Sequence, residues 1–395
     1  MSAPATGLRP VVSAVMPCLN EENTLALCID KAFSAFAAMG IVGEVVVADN
    51  GSTDASVAIA QAHGARVVHQ PQKGYGAALQ AGIDAAQGEF IIMGDADDSY
   101  DWSAIAPFVD AWRRGFDLVM GNRFAGRIEP GAMPPLHRYV GNPVLSFVSR
   151  FAFRVPIGDF HCGMRGFTKE AFERMRPRTS GMEFATEMIA GAAQSGIRIT
   201  EIPITLYPDK RGRPPHLRSF RDGWRHLRFI VTHAPHYLYL IPGLALLIVG
   251  IWLQILLARG PIQVGGFYFG IHYLALGGLL TLVGFNVLSM GVIAKLIVAV
   301  RYPRALGAKM ERLLRIFSLE RALVGGAVLV LAGAAVAVVL VRTWIARRYG
   351  SMEDTVHPAF VAGHLMVLGF NVMFFSFILH LAVSERDGSA PPSTN

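Results

Sequence analysis

Four carboxylates stand within seven residues of one another in Gly94-Asp95-Ala96-Asp97-Asp98-Ser99-Tyr100-Asp101. Oxygen ligands at that density repel one another unless a cation joins them. They suit Mg²⁺ or Mn²⁺, ions that keep part of their water and complete their shell with substrate phosphates. An isolated Asp-x-Asp also fits a solvated acidic turn, and Ser99 or Asp101 could cap a helix over residues 103–114. The preceding segment separates these readings. Residues 90–93 are an apolar, β-rich run, so the cluster sits at a strand end.

Residues 11–121 repeat that arrangement. Strands are predicted at 11–16, 44–48, 66–69 and 90–93, and helices at 22–39, 55–63 and 77–86. Alternation of this kind predicts an α/β domain with a mostly parallel sheet and helices on both faces. Such sheets bind ligands beyond the carboxyl ends of their strands. There the sequence places Asn20-Glu21-Glu22, then Asp49-Asn50-Gly51-Ser52-Thr53-Asp54, then residues 70–76, then the acidic cluster.

These motifs, with Pro17-Cys18-Leu19 and Lys73-Gly74-Tyr75-Gly76, resemble family 2 glycosyltransferases of the GT-A fold. The nearest type is the dolichol- or polyprenyl-phosphate mannose or glucose synthases. Gly121-Asn122-Arg123-Phe124, Asp159 to Arg165, Glu183 to Glu187 and Glu201-Ile202-Pro203-Ile204 extend the resemblance over about residues 11–230. It implies inverting transfer of a hexose from a nucleotide diphosphate sugar, of the UDP-glucose or GDP-mannose class, to polyprenyl phosphate. Pro17, Asn20, Glu21, Asp49, Asn50, Lys73 and Asp95 would bind the nucleotide sugar. Asp95, Asp97 and Ser99 would hold the metal, Ser99 standing where the synthases usually carry Gln. Arg123, Arg138 and Asn142 would grip the acceptor phosphate with Arg211 and Arg213. Asp97, Arg123, Arg138 and Glu187 form the catalytic set.

The acceptor fits the chemistry independently. A phosphate monoester has a second pKa of about 6, so it arrives as a ready nucleophile and needs oriented cations more than a base. Arg123, Arg127, Arg138, Arg165, Arg211 and Arg213 supply cations. Transfer to a lipid hydroxyl instead would need a base, for which Glu183 or Glu187 is available. A processive polysaccharide synthase would carry Gln-x-x-Arg-Trp, absent here, and spans on both sides of the catalytic domain. A flippase or transporter subunit would not need intact acidic clusters.

The composition is divided. Of 395 residues, 52% are hydrophobic and 16% charged, with most acidic residues before position 225. Spans are predicted at 237–257, 271–294, 322–345 and 359–383. Arg301, Arg304, Lys309, Arg312, Arg315 and Arg321 follow the second span, which predicts that loop, the catalytic domain and both termini to be cytoplasmic. The expected protein is integral to the cell inner membrane. No signal peptide is read at its start, and Cys18, Cys28 and Cys162 are expected to be reduced. Asn286, Lys295, His364, Asn371 and His380 are expected to hydrogen-bond between helices or to snorkel. Glycine-rich stretches favour close helix contact and allow a homo-oligomer.

The expected divisions are a catalytic domain (1–210), an interfacial basic segment (211–235), four spans (236–384) and a disordered tail (385–395). In the segment 218–231, Arg218, Arg221, Arg225 and Arg228 share one helix face. Phe220, Trp224, Leu227 and Val231 share another, the signature of a helix lying on anionic lipid. That accounts for the net charge of +7 without nucleic acid.

Overall fold

The computed structural model describes residues 9–210 and 219–388. It divides into two units, residues 1–233 and 234–395.

The first unit is built on β1 (Val12–Cys18), α1 (Leu25–Ala38), β2 (Gly43–Asp49), α2 (Ser56–Ala62), β3 (Arg66–His69), α3 (Tyr75–Ala85) and β4 (Phe90–Met93). It continues through α4 (Ala106–Arg113), β5 (Leu118–Ile128), α5 (Asn142–Phe153), β6 (Arg165–Thr168), α6 (Lys169–Met175), α7 (Phe184–Ser195), β7 (Ile199–Leu206) and α8 (Ser219–His233). The seven strands lie in the order β3-β2-β1-β4-β6-β5-β7. All neighbours pair in parallel except β6, which runs antiparallel to both β4 and β5.

The period of two explains why these runs are apolar throughout. Val12, Ala14 and Met16 face one core with Val45, Val47, Phe90 and Ile92. Val15, Val46, Ile91 and Met93 face the other, against α3, α6 and α7. A strand covered on both faces cannot alternate with polar residues. At Gly82 a Cβ would come within 2.6 Å of Val15 Cγ1, so α3 lies close on the sheet only because the residue is glycine. The predicted strands are present. The antiparallel β6 was not predicted, since four residues, Arg-Gly-Phe-Thr, carry no periodicity to read.

The second unit consists of α9 (Ile241–Leu257), a hairpin of β8 (Ile262–Val264) and β9 (Phe267–Phe269), α10 (Ile271–Arg301), α11 (Gly307–Ile316), α12 (Leu319–Ala346) and α13 (Val356–Gly388). Four helices here are long and apolar enough to cross a bilayer, with mean hydropathy of 2.0 to 2.7. The hairpin was not anticipated. Its signal was Gly265-Gly266, both at positive φ, between apolar flanks.

The close glycine contacts lie within the chain. A Cβ on Gly250 would strike the Thr281 backbone in α10, and one on Gly326 would lie 2.7 Å from Gly369 O in α13. These small-residue faces therefore pair α9 with α10 and α12 with α13. They lend no support to an oligomer. His364 and Asn371 bond back to carbonyls of their own helix, at Phe360 and Val367, rather than across helices. Lys295 Nζ lies 3.0 Å from His236 Nε2. α13 runs on to Gly388, so the first residues assigned to the tail are helical; residues 389–395 lie outside the described residues.

Candidate active site

The loops after β1, β2, β3 and β4 are stitched into one edge by their own polar groups. Asn20, at φ 59°, accepts from the Thr53 backbone N–H through Oδ1 (2.7 Å), and its own N–H donates to Ser52 Oγ. Glu21 N–H donates to Ser56 Oγ, and Thr24 Oγ1 donates to Ala96 O at 2.7 Å, tying the first loop to the acidic one. Pro17, in β1, is half-buried beside this edge. Asn50 holds the third loop: its amide donates to Gln70 O and Gln72 O and accepts from Gly74 N–H. Lys73, exposed at the rim, donates to Asn50 O at 2.6 Å. With its amide so engaged, Asn50 braces the loop after β3.

Asp49 is buried at the end of β2. Burial would raise its pKa, but hydrogen bonds from Ser52 and from His69, 3.1 Å away, outweigh it and hold the carboxyl below its usual value. A hydrogen-bond acceptor held in its ionised form thus stands at this edge.

The four carboxylates of the cluster divide into two kinds. Asp98 lies between Lys31 Nζ at 2.6 Å and Lys210 Nζ at 2.7 Å. Burial opposes its ionisation, and the two lysines reverse that. Asp101 caps the turn after it, accepting from Ser103 N–H and Oγ–H. Lys31 Nζ also lies 3.7 Å from Asp101 Oδ1, so both of these carboxylates have a cation beside them. Asp95 is half-buried and Asp97 buried at the same strand end. Tyr75 O–H donates to Asp95 Oδ1 at 3.0 Å, and Asp97 Oδ1 accepts from Ser99 N–H and Oγ–H at 3.0 and 2.5 Å. Ser99 therefore orients Asp97, with its proton committed there. No group of three His, Cys, Asp or Glu able to hold a metal occurs among the described residues. Two carboxylates at a strand end still fit a hydrated Mg²⁺ or Mn²⁺ whose other ligands are water and substrate phosphate, since such ions take one or two protein carboxylates.

The arginines divide as well. Arg123 is buried, and its Nε and Nη2 bond Asp159 at 2.7 and 2.8 Å while its backbone N–H donates to the same carboxylate. Glu201 Oε1 in turn accepts from the N–H groups of Gly158 and Asp159. Arg165 is fully buried and clamps Ala185 O and Cys162 O. Arg127 pairs with Glu129 on the surface. These three were expected to handle phosphate; in the structure each is engaged with groups of the protein itself. Arg138, half-buried, lies over the Tyr139 ring at 5.5 Å, four residues before Asn142, whose amide reaches Met133 Sδ. Arg211 and Arg213 lie outside the described residues.

Glu187 is buried and accepts from the N–H groups of Arg178 and Thr179 and from Thr179 Oγ1, all through Oε2 at 2.7 to 2.8 Å. It fixes the loop whose Ser180 O receives the N–H groups of Gly76 and Ala77 at the start of α3. Reasoning from sequence missed Tyr75, Tyr100 and Gly163. The Tyr100 hydroxyl oxygen accepts from Gly163 N–H, and a Cβ at Gly163 would lie 3.0 Å from Asp95 Oδ2, so glycine keeps that approach open. The three cysteines are free and buried; burial raises Cys28 and Cys162 to about 12.

α8 packs on the first unit through His226, Phe229 and Ile230, with His226 Nδ1 2.8 Å from Thr186 Oγ1. The face predicted for lipid is not the buried one: Trp224 is 62% exposed. Side chains of residues 218–222 lie outside the described set.

A mixed, mostly parallel sheet with an acidic pair at its carboxyl edge, followed by apolar spans, defines a membrane-integral glycosyltransferase of the GT-A type. Comparison with known proteins agrees. A model of glycosyl transferase family 2 matches residues 13–176, and one of the family 2 C-terminal transmembrane region matches residues 292–382. The chain is 40% identical over 380 residues to the low-salt glycan biosynthesis hexosyltransferase Agl6 of Haloferax volcanii, covering 94% of this chain and 89% of that one. It is 30% identical over 204 residues to a dolichyl-phosphate hexose transferase of the same organism, covering 51% and 84%. Among solved structures it resembles glucosyl-3-phosphoglycerate synthase from Mycobacterium tuberculosis in complex with Mn²⁺ and UDP, with 22% identity and a TM-score of 0.44 over 57% of this chain and 78% of that one. The chain belongs to glycosyltransferase family 2.

Proposed function

We propose that this enzyme transfers a hexose from a nucleotide diphosphate sugar to polyprenyl phosphate with inversion at the anomeric carbon. The carrying observation is the Asp95–Asp97 pair at the carboxyl end of β4, held in place by the Tyr75 and Ser99 hydroxyls. Asp95 and Asp97 would hold Mg²⁺ or Mn²⁺, which when bound offsets the charge of the departing diphosphate. Asp49 and the loop braced by Asn50 would receive the nucleoside. Arg138, with Arg211 or Arg213, would orient the acceptor phosphate.

The engagement of Glu187 favours an acceptor that arrives already ionised. Glu183 supports a second reading, transfer to a lipid hydroxyl, because its Oε2 is buried with no hydrogen-bond partner among the described residues, where a carboxylate could act as a base. Membranes holding the enzyme, given a panel of labelled UDP- and GDP-sugars and polyprenyl phosphate, should yield a labelled lipid that mild acid cleaves. NMR of the product should show the β-anomer from an α-linked donor. A label that survives mild acid would establish the hydroxyl acceptor instead.

Arg138→Ala should lower kcat/KM for the acceptor roughly ten- to a hundredfold, the loss of one charge-assisted contact of about 1.5–3 kcal/mol. The KM for the nucleotide sugar should barely change. Wild-type rates on a short soluble prenyl phosphate would remove Arg138 from the acceptor site.

The basic loop between α10 and α12, with Arg304, Lys309, Arg312 and Arg315, supports a cytoplasmic catalytic unit and cytoplasmic termini in the inner membrane. Reporters fused within α11 should read cytoplasmic and those near Gly350 external. The opposite pattern would invert the topology.

A further inference from the structure

α5 is built inside out for a helix in water. Its buried positions are Ser146 and Ser149, at 1% and 0% exposure, with Ser146 Oγ accepting from Phe160 N–H. Its outward positions are Val144, Phe147 and Phe151, at 52%, 64% and 57%. The turn leading into it extends the stripe with Leu136, Tyr139 and Val140. Spacings of three and four residues place these side chains along one side of the helix. Exposed arginines, Arg150 and Arg154, flank the far end of the stripe.

We propose that this stripe is a second membrane-docking face, seated among lipid headgroups and the upper acyl chains. The occupant follows from the chain itself. The unit that carries α5 is joined through α8, which ends at His233, to a span beginning at His236, so a bilayer is always within reach. α5 packs beside α8, whose Trp224 is also turned outward, making the two helices neighbouring parts of one apolar surface. Phenylalanines bordered by arginines match an anionic lipid surface, the aromatic rings below the phosphates and the guanidinium groups among them. If the reaction proposed above holds, docking also sets the depth of Arg138 and Asn142. Both lie at the start of this stripe, where a polyprenyl phosphate would present its head.

The three native cysteines are buried, so a single surface cysteine can be labelled selectively. Nitroxides placed at Phe147→Cys and, as a control, at Gln61→Cys on exposed α2 are compared in the full chain in nanodiscs with anionic lipid. The Phe147 label should relax faster with oxygen than with a water-soluble nickel chelate, and the Gln61 label the reverse. Equal nickel access at both sites would overturn docking. Protection from both reagents at Phe147 would also overturn it, since it would mean a protein partner or a second copy. These readouts do not depend on the acceptor, so docking and the proposed reaction stand or fall separately. Phe147→Asp with Phe151→Asp should raise KM for membrane-borne polyprenyl phosphate about tenfold or more, from the loss of apolar burial. It should leave KM for the nucleotide sugar unchanged; an equal rise in both would sink the coupling of docking to acceptor delivery.

Discussion

Asp97→Asn should reduce sugar transfer on the order of a thousandfold while leaving the melting temperature of the detergent-solubilised enzyme within a degree or two. The conservative change keeps the oxygen that accepts from Ser99, so the loop retains its 2.5 Å and 3.0 Å bonds. What it removes is one negative charge beside Asp95. A divalent cation held by two carboxylates and substrate phosphate would lose a ligand charge, and metal stabilisation of a leaving diphosphate contributes several kcal/mol, each ~1.4 kcal/mol being tenfold in rate. Asp98→Asn makes the contrast. Asp98 is already neutralised by Lys31 and Lys210, so the substitution should affect stability more than turnover. Excess chelator should reproduce the Asp97→Asn phenotype in the wild type, and added Mg²⁺ or Mn²⁺ should reverse it. Full turnover in EDTA would show that the acidic pair serves some other purpose.

Asp159→Ala should destabilise the catalytic unit by about 3–5 kcal/mol, because it leaves the Arg123 guanidinium buried without its counter-charge. Asp159 is completely buried. Burial alone would raise its pKa; the charge of Arg123 and the hydrogen bonds from its side chain and backbone outweigh that and hold it low. The pH dependence follows from the sign. A carboxylate depressed in the folded state adds stability above its unfolded pKa of about 3.9, and that contribution disappears as pH falls through the folded value. Wild-type melting should therefore drop steeply below about pH 4. Replacing the pair together, Arg123→Met with Asp159→Leu, should recover much of the loss and flatten the acid limb. Unchanged melting of Asp159→Ala would mean that water already screens Arg123, and would return that residue to the list of acceptor ligands.

Periodicity was enough to find the strands and the polar residues that follow them. Runs such as Val-Val-Val-Ala and Phe-Ile-Ile-Met can only be strands covered on both faces, and the chemistry then lies past their carboxyl ends. Hydropathy was enough for the spans, because about twenty apolar residues in a row have no other stable place. The division of labour among charged groups was not legible. Asp98 meets Lys31 and Lys210 across 67 and 112 residues of chain, and Arg123 meets Asp159 across 36. The lysines that neutralise Asp98 are distant in the chain, so only the packed fold shows that this carboxylate is paired. The partners of Arg165 and Glu187 were hidden for the same reason: they are backbone groups brought near only by tertiary packing. α5 is the converse case. Its sequence shows a helix with serines on one side and phenylalanines on the other, and a soluble domain would ordinarily bury the phenylalanines. The fold places Ser146 against the loop that carries Asp159, where a small hydroxyl can satisfy a buried N–H, and that choice turns the aromatic side outward.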